Sequence, residues 1–137
     1  MKELFDIVSA KCSKKVTETY STSFSLATRM LGPSIRQDIY NIYGFVRFAD
    51  EIVDSFHNYK KEILFNRFEI GLAEALEDRI SLNPILNSFQ KTVFKYNIEN
   101  DLIHTFMDSM RQDLTKTNYS TAEEFNDYIY GSADVVG

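Results

Sequence analysis

The chain has 137 residues, 44% of them apolar, a formal net charge of −5 and a single cysteine, Cys12. That is enough for one domain with a buried core, and it excludes both a disordered chain and an internal disulfide framework. An acidic chain without a basic block has no electrostatic footprint for nucleic acid, so no nucleic-acid partner is expected.

The N-terminal stretch MKELFDIVSAKCSKK carries acidic residues within its apolar run, which is unlike a signal peptide. No apolar run approaches the roughly 20 residues that a membrane span needs. These features predict a cytoplasmic chain with Cys12 as a buried or half-buried thiol.

Gly and Pro are scarce, at five and two, and apolar residues recur at helical spacing along the chain. The fold class expected is all-α, a helical bundle forming one domain over residues 1–137. The first helix is predicted near Lys2–Cys12, and a second near Lys14–Met30 with a break around YSTSF. LGPS reads as a turn, with Pro33 opening a helix over about Ser34–Phe56. A fourth helix covers about Lys60–Arg79. Asn83 followed by Pro84 reads as an N-cap and first helical position, opening a helix to about Lys95. Another spans about Glu99–Thr115. Ser120 with Glu123 is a capping-box pair that opens the last helix. That helix gains apolar character through Ala133, Val135 and Val136 without a following helix to cover it. Two expectations follow: the sequence is part of a larger protein, or two copies pair through this unfinished face as a homodimer.

The helix over Ser34–Phe56 carries two stripes. Ile39, Ile42, Val46, Ala49, Val53 and Phe56 form a predicted core face. Beside it run Tyr40, Tyr43, Arg47, Asp50 and Asp54. Two carboxylates at i and i+4 repel each other, and a cation should offset that. Spacing alone is weak evidence, because Glu74/Asp78 and Glu123/Asp127 share it in polar surroundings. Asp50 and Asp54 differ in flanking Ile52 and Val53. A divalent cation such as Mg²⁺ would neutralise both and bridge them to a phosphate, with Arg47 meeting the phosphate oxygens. An Arg–Asp salt bridge on a wet helix face is the alternative reading of the same residues.

The wider stretch YSTSFSLATRMLGPSIRQDIYNIYGFVRFADEIVD resembles the N-terminal half of the squalene/phytoene synthase family, the head-to-head members of the all-α isoprenoid synthases. The matching elements are Ser21, Ser23 and Phe24 in S-x-S-F, then Pro33 and Arg36. Next comes Y-x-x-x-R-x-x-D-x-x-x-D as Tyr43, Arg47, Asp50 and Asp54. DLIHTFMDSMRQDL and YIYGSADVVG continue the resemblance, so it covers about Tyr20–Gly137.

The resemblance implies an enzyme that condenses two farnesyl or geranylgeranyl diphosphates 1′–1. The reaction passes through a cyclopropyl intermediate to squalene, dehydrosqualene or phytoene. It implies that Asp50 and Asp54 hold Mg²⁺ against a diphosphate, which Arg47, Ser21 and Ser23 also bind. Tyr43 would hydrogen-bond near the reacting centre, and Tyr128 would face a developing carbocation. Phe24, Ala133, Val136 and Gly137 would line the prenyl tunnel. NADPH would enter only if the product is squalene, and contact with a membrane would serve product release. Each residue also has a plainer reading: Ser21 and Ser23 as helix caps, Phe24 and Tyr128 as core, Ala133 and Gly137 as helix-packing positions.

The sequence departs from the family's pattern in three places. The second aspartate-rich motif, which follows the position matched by Gly137, is not in this sequence. That predicts low activity for this chain alone. Asp134 stands where the family usually has Gly. Glu51 replaces the more common Asp, off the ligand strip.

Overall fold

A computed structural model of the chain describes residues 1–114, and these form six α-helices with no strand among them. They are α1 (Lys2–Tyr20), α2 (Thr22–Thr28), α3 (Pro33–Ser55), α4 (Lys61–Asp78), α5 (Pro84–Tyr96) and α6 (Asn100–Leu114). The helix predicted from Ser120, and Tyr128, Ala133, Asp134, Val136 and Gly137, lie outside the described residues.

Helix ends follow local chemistry. Pro33 and Pro84 sit in the first turns of α3 and α5, where a missing N–H costs nothing. Asn83 Oδ1 accepts from the N–H groups of Ile85 at 3.0 Å and Leu86 at 3.2 Å. Asn97 ends α5 in the left-handed region at φ 52°, which asparagine tolerates better than most residues. One boundary differs from expectation. The predicted gap after Cys12 does not exist, and α1 runs unbroken to Tyr20, ending within the YSTSF stretch. Nothing between Cys12 and Lys14 breaks a helix, since neither Gly nor Pro occurs there.

The core forms around Phe45 of α3. Its ring stacks on Phe89 of α5 with centroids 3.9 Å apart and on Phe68 of α4 at 5.7 Å. Phe106 of α6 closes the hub at 5.5 Å, tilted by 51°. One aromatic side chain thus ties α3 to three other helices, which is where much of the phenylalanine content goes. The core stripe of α3 is therefore displaced from the predicted one. Phe45, Ala49, Ile52 and Val53 are buried, whereas Ile39, Ile42, Val46 and Phe56 are half-buried. Tyr40, placed by its spacing on the carboxylate strip, is buried. With α1, α4, α5 and α6 all packed on it, α3 has more than one inward face.

Helix α1 docks through a different chemistry. Its buried residues are Ser9, Ser13 and Thr17, one turn apart, while Leu4, Ile7 and Val8 face outward. Small side chains allow close approach: a Cβ added to Gly44 of α3 would come within 3.2 Å of Ser13 Oγ. Polar bridges fix the register. Asn87 donates to Asp6 at 2.9 Å and to Ser9 at 3.2 Å, and Gln37 donates to the Ala10 carbonyl at 3.0 Å. Between α3 and α5, buried Asp38 accepts from Lys95 at 2.7 Å and from the Tyr96 hydroxyl at 2.5 Å. Cys12 is half-buried against the core, as expected.

Candidate functional site

The site is built where α1 turns into α2 against one strip of α3. Ser21 makes the turn. Its extended backbone (φ −145°, ψ 94°) ends α1, and its side chain caps α2 by accepting from Phe24 N–H at 3.2 Å. The cap aims α2 so that Phe24 stacks on Tyr43 of α3, with centroids 5.0 Å apart and rings 24° from parallel. Phe24 remains 39% exposed, so this pair is not plain core. Ser23 is exposed in the same turn of α2.

One turn after Tyr43, the guanidinium of Arg47 lies over the ring of Tyr20, the last residue of α1, with Cζ 4.9 Å from the ring centroid. Arg47 Nη1 donates to Asp50 at 3.3 Å and Nη2 donates to Glu51 at 3.1 Å. The predicted intrahelical Arg–Asp pair therefore exists. Glu51, read from the sequence as off the strip, is part of the group, because i, i+4 spacing brings it as near to Arg47 as Asp50 is. Hydrogen bonding from Ser55 holds the Glu51 carboxyl below the usual carboxylate range, with further help from Tyr20 and Arg47 against the opposing effect of burial. The Tyr20 hydroxyl is pushed up, first by its hydrogen bond to Glu51 and then by desolvation. Tyr20 and Glu51 are the two residues that sequence reasoning missed. Pairing of Tyr20 with Arg47, residues far apart in the chain, left no local signal.

Asp54 is exposed on the next turn, yet its carboxyl is pushed above the ordinary range. Desolvation is the main cause, followed by the negative charges of Asp50 and of Asp113 at the end of α6. Asp113 is buried. The position of Asp54 thus disfavours its own negative charge, as one beside an uncompensated cation site does. Among the described residues no three His, Cys, Asp or Glu side chains converge closely enough to hold a metal ion unaided. A pair of carboxylates is still a sufficient protein contribution for Mg²⁺ when phosphate oxygens and water complete its shell. The residues present fit that group. The comparison pair Glu74 and Asp78 is exposed on α4 and reads as a solvated face.

A helical bundle that presents Tyr, Arg and two Asp along one central helix belongs to the isoprenoid synthase class of folds. Solved structures bear this out. A dehydrosqualene synthase superposes with a TM-score of 0.78 at 21% identity, over 96% of this chain and 45% of its own. A squalene synthase from Alicyclobacillus acidocaldarius gives 0.77 at 23% identity, over 93% of this chain and 48% of its own. The profile of the squalene/phytoene synthase family matches residues 17–137, and the chain belongs to that family. Among its relatives is phytoene synthase 1 of Zea mays, a chloroplastic protein, 29% identical over 100% of this chain and 32% of its own. The corresponding protein of Solanum lycopersicum is 27% identical over 93% of this chain and 31% of its own. The chain therefore spans about a third of the length of these relatives. No helix among the described residues is long and apolar enough to cross a membrane.

Proposed function

We propose that this chain supplies the diphosphate-gripping part of a head-to-head prenyl synthase. Such an enzyme joins two farnesyl or geranylgeranyl diphosphates 1′–1, through a cyclopropyl diphosphate, to squalene, dehydrosqualene or phytoene. The observation that carries the reading is the Arg47–Asp50–Asp54 strip on α3, with Asp54 held in a site that repels its charge.

Mg²⁺ held by Asp50 and Asp54 would neutralise a leaving diphosphate, the demanding part of ionisation at an allylic carbon. Arg47 meets the same anion with its planar fork once Asp50 is engaged elsewhere. Ser21 and Ser23 offer hydroxyls at the adjoining turn. Tyr43, stacked with Phe24 one turn from Arg47, would hydrogen-bond near the carbon that loses the diphosphate. Phe24 gives the prenyl chain its first apolar wall. An apolar cavity of about 40 Å³ lies among Ile42, Phe45, Val46, Phe89 and Ile103. That is little more than one water molecule occupies, so a prenyl tail needs further wall, a role for Tyr128, Ala133, Val136 and Gly137.

With one aspartate-rich motif, the 137-residue chain by itself binds a prenyl diphosphate without turning it over. A homodimer through its C-terminal segment is a further proposal, as is cytoplasmic action with membrane contact for release of a hydrocarbon. NADPH belongs only to a squalene product.

The test is Mg²⁺-dependent binding of farnesyl and geranylgeranyl diphosphate, followed by calorimetry, with diphosphate release measured in parallel. Binding that needs Mg²⁺ and is lost in Asp50→Asn supports the reading. Equal binding by Asp50→Asn sinks it.

A further inference from the structure

Arg47 is held on several sides, and its holders are themselves held. The Tyr20 ring covers one face of the guanidinium at 4.9 Å. Glu51 takes Nη2 at 3.1 Å, and Asp50 takes Nη1 at 3.3 Å. The Glu51 carboxylate is in turn favoured as the anion by Ser55 and by the Tyr20 hydroxyl. Arg47 Nε is buried and meets no acceptor among the described residues. A buried, charged N–H without a partner calls for an explanation, and an anion that arrives later supplies one.

The two carboxylates are not equivalent holders. Asp50 is half of the Asp50/Asp54 pair, so a metal ion held there would compete with Arg47 for it. Glu51 is not shared with Asp54, and its second tether runs to a different helix, through Tyr20. Were Asp50 to hold a cation, Nη1 would lose that partner while Glu51 would keep Nη2 and the Tyr20 ring would keep its face of the guanidinium. The guanidinium plane is then already set when the diphosphate arrives, which reduces the ordering cost of binding.

We propose that Tyr20 and Glu51 are positioning residues that orient Arg47 for the diphosphate, with Tyr20 acting both through its ring on the guanidinium and through its hydroxyl on Glu51. The inference rests on the proposed role of Arg47 as a diphosphate ligand. It assigns Tyr20 no contact with the substrate.

The experiment is a double-substitution cycle on the 137-residue chain, with inorganic diphosphate and Mg²⁺ as the probe and calorimetric affinity as the readout. Tyr20→Phe keeps the ring and removes the hydroxyl. Loss of one net hydrogen bond to a charged network predicts a drop of about threefold to tenfold in affinity. Tyr20→Leu removes the ring as well and should lose more. The decisive measurement repeats Tyr20→Phe in an Arg47→Lys background. An ammonium cannot be held in the same fork, so the Tyr20 effect should shrink to less than about twofold there. Thermal melts of each variant check that it is folded. A Tyr20→Phe loss of the same size in both backgrounds would mean that Tyr20 acts independently of Arg47, which overturns the proposal. So would unchanged affinity in Tyr20→Phe and Tyr20→Leu, while loss of binding in Asp50→Asn left the diphosphate reading standing. Absence of Mg²⁺-dependent diphosphate binding in the parent chain overturns both.

Discussion

The side-chain oxygen of Ser21 accepts the backbone N–H of Phe24 at 3.2 Å, so the atom proposed to meet a diphosphate also starts helix α2. The two roles are separable because alanine and glycine differ as caps. Ser21→Ala should cost about 1 kcal/mol of stability and Ser21→Gly only a few tenths. Both lack the hydroxyl. Urea titration and diphosphate calorimetry on the pair should show Ser21→Gly nearly as stable as the parent but weaker in binding. Parental affinity in Ser21→Gly would reduce Ser21 to a cap alone.

Asp54 should trade stability against function. Its carboxyl is pushed up by desolvation and by the charges of Asp50 and Asp113. A raised folded pKa means that the folded state holds the proton more tightly than the unfolded chain. The contribution of Asp54 to stability is then greatest below the unfolded value of 3.8 and falls as pH rises through the higher folded value. At pH 7, Asp54→Asn removes the repulsion and should raise the melting temperature in the absence of Mg²⁺ while weakening Mg²⁺-dependent binding. Melts with and without Mg²⁺ test both halves.

Asp6 should behave in the opposite sense. Burial alone would raise its carboxyl, but hydrogen bonds from Lys2 and Asn87 and the charge of Lys91 outweigh that and lower it to about 2. Its stabilisation is present above the unfolded value of 3.8 and is lost as pH falls toward about 2. Asp6→Asn should therefore cost about 1 kcal/mol at pH 7, allowing for solvent screening of its lysine partners, and little at pH 2. Denaturation across that range, parent against variant, gives the difference directly.

Gly44 sets how closely α1 approaches α3. A Cβ there would lie 3.2 Å from Ser13 Oγ and 3.4 Å from Ser13 Cα. Alanine brings a helix-propensity gain of up to about 1 kcal/mol against that crowding, so Gly44→Ala should stay within about 1 kcal/mol of the parent. Gly44→Val adds bulk that backbone must absorb, and should cost about 2 kcal/mol or more. Because α1 carries Tyr20, Gly44→Val should also weaken diphosphate binding.

The aromatic hub predicts the largest losses. Phe89 lies flat on Phe45, 3.9 Å away and 7° from parallel. Phe89→Ala should cost about 3–5 kcal/mol, and Phe89→Leu about 1 kcal/mol, read as shifts in urea midpoint.

Much of this protein is local, and local features are written in the sequence. Pro33, the Asn83–Pro84 pair and the break at YSTSF define helix ends through backbone chemistry that needs no tertiary partner. The 3.6-residue repeat places Tyr43, Arg47, Asp50 and Asp54 on one strip of α3 because helix geometry alone fixes that relation. The family resemblance rested on the same motif.

Tertiary packing decided the rest. The predicted core stripe of α3 was displaced, and Tyr40 went inside, because the packing of four helices around α3 leaves it more than one inward face. The docking of α1 through Ser9, Ser13 and Thr17 has no hydrophobic signature to read. Tyr20 joined the site only because the end of α1 falls beside the middle of α3, and Asp113 only because α6 ends near Asp54, whereas Glu51 reaches Arg47 through helix spacing alone. Spacing within one helix follows from covalent geometry. Meetings between helices depend on how their surfaces fit, and that is settled only when the chain has folded.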